Sequence, residues 1–297
     1  MRRLAGRLVI GVASVLVAAT PVLVTTAQAA PAEAVPTCVP PDNPAPRVLS
    51  FTATDVVPGS DSIRGYAEQR FTARADNPCG QADCETGKTC TSLQVAGRRT
   101  AGSGAGCVFH TYDEPTPRPE ADGTKTYEDV MPWTDNDAND DLDSPTLNNT
   151  CAGAYDASVT LTNYYYDATT GKYTPASSGP FLQTRSFTVR RPSRLSVNAS
   201  PEPVRVGRTV TVKGRLTRAN WNAYGNPMQG YAYQRVLIQR RTATGTYNTL
   251  KSVRTDRRGY LHTGIRALSG TRCYRWVFPE NTTTAGRTSG GDCVRAR

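Results

Sequence analysis

The stretch DNDANDDLD, residues 135 to 143, sets side-chain oxygens at alternate positions. Asp135, Asp137 and Asn139 stand in a D-x-D-x-N spacing, which lets one short loop wrap a calcium ion with hard oxygens at about 2.4 Å. Asp141 and Asp143 would complete the shell, helped by Glu128 or Asp129. Two positions depart from the helix-loop-helix calcium pattern. Asp140 stands where Gly makes the sharp turn, and Thr146 stands where a bidentate acid closes the loop. Runs of Asp and Asn also break regular structure and stay hydrated, so a solvated connection is the competing expectation.

The second chemical signal is basic. Arg outnumbers Lys 30 to 5, and the charge is unevenly divided. Residues 30 to 189 carry 11 Lys and Arg against 21 Asp and Glu, a net of −10, whereas residues 190 to 297 carry 21 against 4, a net of +17. Arg215, Arg218, Arg240, Arg241, Arg254, Arg257 and Arg258 fall on predicted exposed strand faces and turns. Their field attracts polyanions such as an anionic cell-envelope polymer of the teichoic kind, extracellular nucleic acid or acidic exopolysaccharide. Alternatively these charges face the acidic half and hold the two halves together. No sequence-specific recognition of nucleic acid is expected, because no stacking aromatics are expected to interleave with the Arg residues and no nucleic-acid motif is present.

Other chemistry is thin. Zinc sites want close Cys pairs with His partners, and the nearest spacings are C-x4-C and C-x5-C, with His110 and His262 the sole histidines. TSGGDC superficially resembles a serine-protease signature, but Ser289 has the wrong neighbours and the two His sit in separate predicted strands. A secreted hydrolase working through paired carboxylates is the alternative function, and it would need acids from separate strands to converge in one cleft.

The chain's ends and cysteines point outward. Arg2, Arg3 and Arg7 precede the apolar run Leu8 to Val24, and AQA at 27 to 29 supplies a cleavage site, so residues 1 to 29 are expected to be a signal peptide. No second apolar stretch approaches spanning length, so a secreted, extracellular protein with no transmembrane segment in its mature chain is expected. Cys38, Cys79, Cys84, Cys90, Cys107, Cys151, Cys273 and Cys293 are an even set, read as disulfides in an oxidising compartment. The six in the first half allow fifteen pairings, and sequence does not choose among them.

Short alternating runs rich in Val, Thr, Tyr and Phe, broken by Gly, Pro, Asn and Asp, predict an all-β chain. In the C-terminal half, TVTVKGRL puts Val210, Val212 and Leu216 on one face. CYRWVF likewise aligns Tyr274, Trp276 and Phe278, a stripe that a sandwich core needs. Seven such strands in about 105 residues predict an Ig-like β-sandwich over 190 to 297, with Cys273 and Cys293 stapling its last two strands. The half from 30 to 189 reads as a second, acidic, Cys-rich β-sandwich with a long irregular loop at 113 to 150.

The segments SRLSVNASPEPVRVGRTVTVKGRLTRANW, GTYNTLKSVRTDRRGYL and YRWVFPENTTTA resemble an Ig-like module of secreted proteins of high-GC Gram-positive bacteria, over residues 193 to 297. The resemblance implies an extracellular or surface-associated protein. Members of this family are mostly uncharacterised, some are labelled calcium-binding, and the family has no catalytic residues to carry over. This chain departs from the family in Cys273, Cys293 and its Arg density. The combined expectation is a non-catalytic binding or adhesion-type protein at or near the cell surface.

Thermal unfolding in chelator and then in millimolar calcium tests the acidic run. An ion held at a hundredfold its Kd adds ~2.7 kcal/mol, which raises the midpoint by about 5 to 10 °C. Asp137→Ala abolishes that rise if the run is a calcium site, and an unchanged midpoint makes it a solvated connection.

Overall fold

The computed structural model describes residues 38–40, 42–57, 67–80, 89–100, 107–133, 147–179, 185–223, 225 and 227–297. All of them belong to one compact unit, Pro36–Arg297. The expected signal segment, 1 to 29, lies outside the described residues. Among those described, the one helical element is a 3-10 turn at Asn149–Cys151, and no helix is long and apolar enough to cross a membrane.

The chain is all-β and builds two sandwiches. The first contains β1 (Arg47–Ala53), β2 (Ala67–Asp76), β3 (Thr89–Arg99), β4 (Phe109–Asp113), β5 (Arg118–Pro119), β6 (Lys125–Trp133), β7 (Gly153–Asp167), β8 (Lys172–Ser178) and β9 (Arg185–Val189). One sheet runs β1-β2-β6-β5 and the other β4-β3-β7-β8, with β9 also on β7; every pair is antiparallel. Alternation decides which residues face inward. Phe71 on β2 and Trp133 on β6 meet Phe109, Tyr155 and Phe187 from the opposite sheet, with successive ring centroids 5.3 to 6.1 Å apart. Such rings contribute both burial and directional packing.

The long loop expected at 113 to 150 is in part a strand. Tyr127, Met131 and Trp133 alternate inward, so β6 takes a central place between β2 and β5. Asp129, buried in the same inward row and accepting from Thr111 Oγ1, hides that alternation in the sequence.

A buried polar network fastens the N-terminal segment to this sandwich. Asn163 donates to Asn43 Oδ1 and Asn77 Oδ1, both at 3.0 Å, and accepts from Asn77 Nδ2 at 3.0 Å and Thr91 Oγ1 at 2.8 Å. Asn77 Nδ2 also donates to Tyr127 Oη at 2.8 Å. A Cβ on Gly80 would overlap Tyr127 Oη and Asn77 Nδ2, which explains glycine there. Satisfied networks of this kind specify one arrangement, since a lost partner strands the others away from water. Beside the network Cys38 bonds Cys79, and Cys107 bonds Cys151. Cys90 is buried on β3, and Cys84 lies outside the described residues.

The second sandwich contains β10 (Ser193–Leu195), β11 (Asn198–Ser200), β12 (Thr209–Ala219), β13 (Met228–Gly230), β14 (Arg235–Thr242), β15 (Asn248–Arg254), β16 (Tyr260–Arg266), β17 (Gly270–Phe278), β18 (Arg287–Thr288) and β19 (Asp292–Ala296). One sheet gathers β10, β11, β13 and β16 around β12, and the other runs β15-β14-β17 with β18 and β19 on the far side of β17. Val210, Val212, Leu216, Val236, Ile238, Tyr274, Trp276 and Phe278 form its core, so the aromatic stripe is core. Trp276 Nε1 donates to Lys213 O at 3.1 Å, and its ring passes so close to Gly214 that a Cβ there would collide with it. Cys273 bonds Cys293 across β17 and β19.

The sandwiches are joined by apolar and amide contacts. Ala219 and Trp221, from the end of β12 and the turn after it, belong to the core of the first sandwich. Around Trp221, Asn149 Nδ2 donates to Asn220 Oδ1 at 2.6 Å, the Trp221 N–H donates to Asn149 Oδ1 at 3.0 Å, and the Asn149 N–H donates to Asn222 Oδ1 at 2.7 Å. Arg190, in the linker, pairs with Asp55 at 2.8 Å and faces Glu280 at 3.7 Å. Trp221→Ala is therefore expected to cost about 3 to 5 kcal/mol in urea unfolding, and a loss below about 1 kcal/mol would mean the turn is not an anchor.

Candidate anion-binding face

The outer face of the sheet β15-β14-β17-β19 follows from its inner one. On β14, Val236 and Ile238 are buried, so Arg235, Leu237, Gln239 and Arg241 stand outward. Tyr274, Trp276 and Phe278 are buried on β17, which turns Arg275 outward, opposite Gln239. Arg254 of β15 lies opposite Arg235, and Arg295 of β19 shares the outward row of Cys293. Five guanidinium groups, those of Arg235, Arg241, Arg254, Arg275 and Arg295, thus share one sheet face.

Tyr247 lies across this face. It comes from the loop between β14 and β15, and its ring centroid is 3.9 Å from Arg275 Cζ and 5.1 Å from Arg241 Cζ. Its hydroxyl reaches β19's approach, where a Cβ on Gly291 would overlap it. Arg275 Nε donates to Gln239 Oε1 at 2.8 Å and Arg241 Nη1 to Ala243 O at 2.7 Å, while Arg241 Nε is buried without a partner. Each stacked pair contributes about 0.5 to 1 kcal/mol and fixes a guanidinium plane without neutralising it.

No carboxylate among the described residues neutralises these charges. Among the described residues no ion pair reaches any of the five. The four acids of this half are Glu202, Asp256, Glu280 and Asp292. Asp292 accepts the Ala199 N–H at 2.6 Å and Glu280 faces Arg190. The Tyr260 N–H and then the Arg258 N–H hold the Asp256 carboxyl below its usual range inside its own turn. Glu202 is exposed between Pro201 and Pro203.

The predicted Arg residues divide among several places. Arg241 and Arg254 are on this face. Arg215 is exposed on β12, 5.0 Å from the Tyr260 ring, with its Nε on Arg258 O at 3.4 Å, and Arg257 adjoins Arg258 in the same turn. Arg240 points the other way from Arg241, beside Tyr274, whose phenol burial pushes up while Arg240 and Arg272 pull it down. Arg218 is half-buried against Tyr231 at 3.9 Å. Among the described residues none of these pairs with an acid of the first sandwich, and Arg190 with Asp55 is the one ion pair between the halves.

Sequence reasoning passed over Arg235, Arg275, Arg295 and Tyr247. The parity of β14 and of CYRWVF was the available signal for the first two. The expectation that no stacking aromatic interleaves with the Arg residues is corrected, because Tyr231, Tyr247 and Tyr260 all lie over Arg side chains. The calcium candidates Asp135, Asp137, Asn139, Asp141 and Asp143 lie outside the described residues. No group of three His, Cys, Asp or Glu suited to a metal occurs among those described. Ser289 accepts the Trp276 N–H and donates to Gly290 O, both at 2.9 Å, so its hydroxyl serves the backbone.

No protein-family model and no curated protein matches the chain. Among solved structures it is similar to the FN1–FN3 domains of chicken CNTN1, at 10% identity over 85% of this chain and 68% of that one, with a TM-score of 0.28. It is also similar to the human OSCAR ligand-binding domain, at 11% identity over 85% of this chain and 99% of that one, with a TM-score of 0.24. At these scores neither structure bears on what this chain binds.

Proposed function

We propose that this chain is an exported, non-catalytic binding protein that holds an anionic cell-envelope polymer on the Arg–Tyr face of its second sandwich. The observation that carries this is the row of five outward Arg residues, none paired with a carboxylate among the described residues, spread across four strands and braced by Tyr247. Guanidinium forks suit phosphate and carboxylate oxygens, and a flat sheet face presents several of them to successive groups of one polymer. Three disulfides among the described residues and the resemblance of residues 193 to 297 to secreted sandwich modules support an extracellular setting.

Long-chain polyphosphate serves as the probe. Its affinity is expected to fall steeply as salt rises from about 0.05 to 0.5 M, since exposed charges are screened over a few ångströms at the upper end. Arg241→Gln with Arg275→Gln is expected to weaken binding roughly tenfold or more, each lost charged contact costing about 1 kcal/mol. Unchanged binding by this double variant, with its circular dichroism intact, would refute the assignment to this face.

A further inference from the structure

Two further cations meet at the joint between the sandwiches. Arg191, in the linker between β9 and β10, is only 6% exposed. Its backbone is strapped to the loop after β17, N–H to Thr283 O and carbonyl to the Ala285 N–H, both at 3.0 Å. Its Nε donates to Ala219 O at 2.6 Å. Beside it, Arg218 lies over the Tyr231 ring at 3.9 Å and gives Nη1 to Thr284 Oγ1 at 3.3 Å. Thr284 is fully buried, and Asn281 Nδ2 donates to Tyr231 Oη at 3.0 Å. No ion pair joins either Arg to a carboxylate among the described residues, and the nearby Glu280 is turned to Arg190.

The charged groups that act on Arg191 are Arg218 and the Tyr231 phenol. Burial, with Arg218's charge added, pulls the Arg191 guanidinium down to about 10, so it is still cationic at neutral pH. A buried guanidinium with a half-buried one beside it, and no counter-charge among the described residues, is costly, and native interiors pair such charges. Ala219 O and Thr284 Oγ1 are neutral acceptors for single N–H groups, and no carboxylate among the described residues compensates the charge.

We propose that this joint binds one small oxyanion, of the phosphate, sulfate or carboxylate class, between Arg191 and Arg218. The planar forks match a group with two or three oxygens better than a spherical halide. The occupant would tie the linker, the end of β12 and the loop after β17 together. An internal rival exists in Tyr231. Burial pushes its phenol up, but hydrogen bonds from Thr284 and Asn281 and the charge of Arg218 leave it below its usual value.

Calorimetric titration of the purified protein with inorganic phosphate, then sulfate, at ionic strength fixed with sodium chloride tests this. One saturable site per chain is expected, weakened about tenfold or more by Arg218→Gln, which removes charged hydrogen bonds to the occupant. Arg218→Lys keeps the charge and loses the fork, and is also expected to weaken binding if the Gln variant does not fold. Arg241→Gln, on the outer face, is expected to leave the site intact, which separates it from polymer binding. Absence of saturable binding, or equal binding by Arg218→Lys, would overturn the proposal. So would a loss in Arg241→Gln as large as in Arg218→Gln. Tyrosinate absorbance at neutral pH that disappears in Tyr231→Phe would also overturn it, because the counter-charge would then be internal.

Discussion

Val236 and Ile238 pack in the core with Trp276, and that contact decides what the opposite side of the sheet can be. A strand with one buried face has two registers, and a slip of one residue would bury Arg235 and Arg241 while exposing two aliphatic side chains. The cost of burying guanidinium groups excludes that alternative. Trp276 adds a second constraint, since its indole lies against Gly214 and donates to Lys213 O, which fixes the distance between the sheets. The basic outer face is thus a consequence of the packing of the core.

Charge segregation does not hold the sandwiches together. The first half is acidic and the second strongly basic, yet the single ion pair between them among the described residues is Arg190 with Asp55. Trp221, Ala219 and a set of Asn amides make the joint instead. Surface ion pairs contribute little, whereas a buried indole contributes several kcal/mol, so an apolar anchor is the stronger fastening. The Arg residues are in consequence left to face solvent, which is the condition for a polyanion surface.

The all-β class was legible because period-two alternation is local: TVTVKGRL and CYRWVF each display it within eight residues. β6 was only half legible, since the charged Asp129 in its inward row and the apolar Val130 on its outer face blur the pattern of Tyr127, Met131 and Trp133. The Asn43–Asn77–Asn163 network was not legible at all, as its members are 34 and 86 residues apart and look like turn formers in isolation. Tyr247 was missed for a similar reason. Its ring meets Arg275, on the third strand after it, and only the finished sheet brings them together.

A residue-resolved nuclear magnetic resonance titration of the folded protein with oligophosphate tests the basic face most directly. Shifts centred on the amides of Gln239, Tyr247, Arg275 and Gly291, reversed by added salt, are the predicted result. Shifts centred on Arg258 and Tyr260, or on the first sandwich, would place the polymer elsewhere and contradict the assignment of this face.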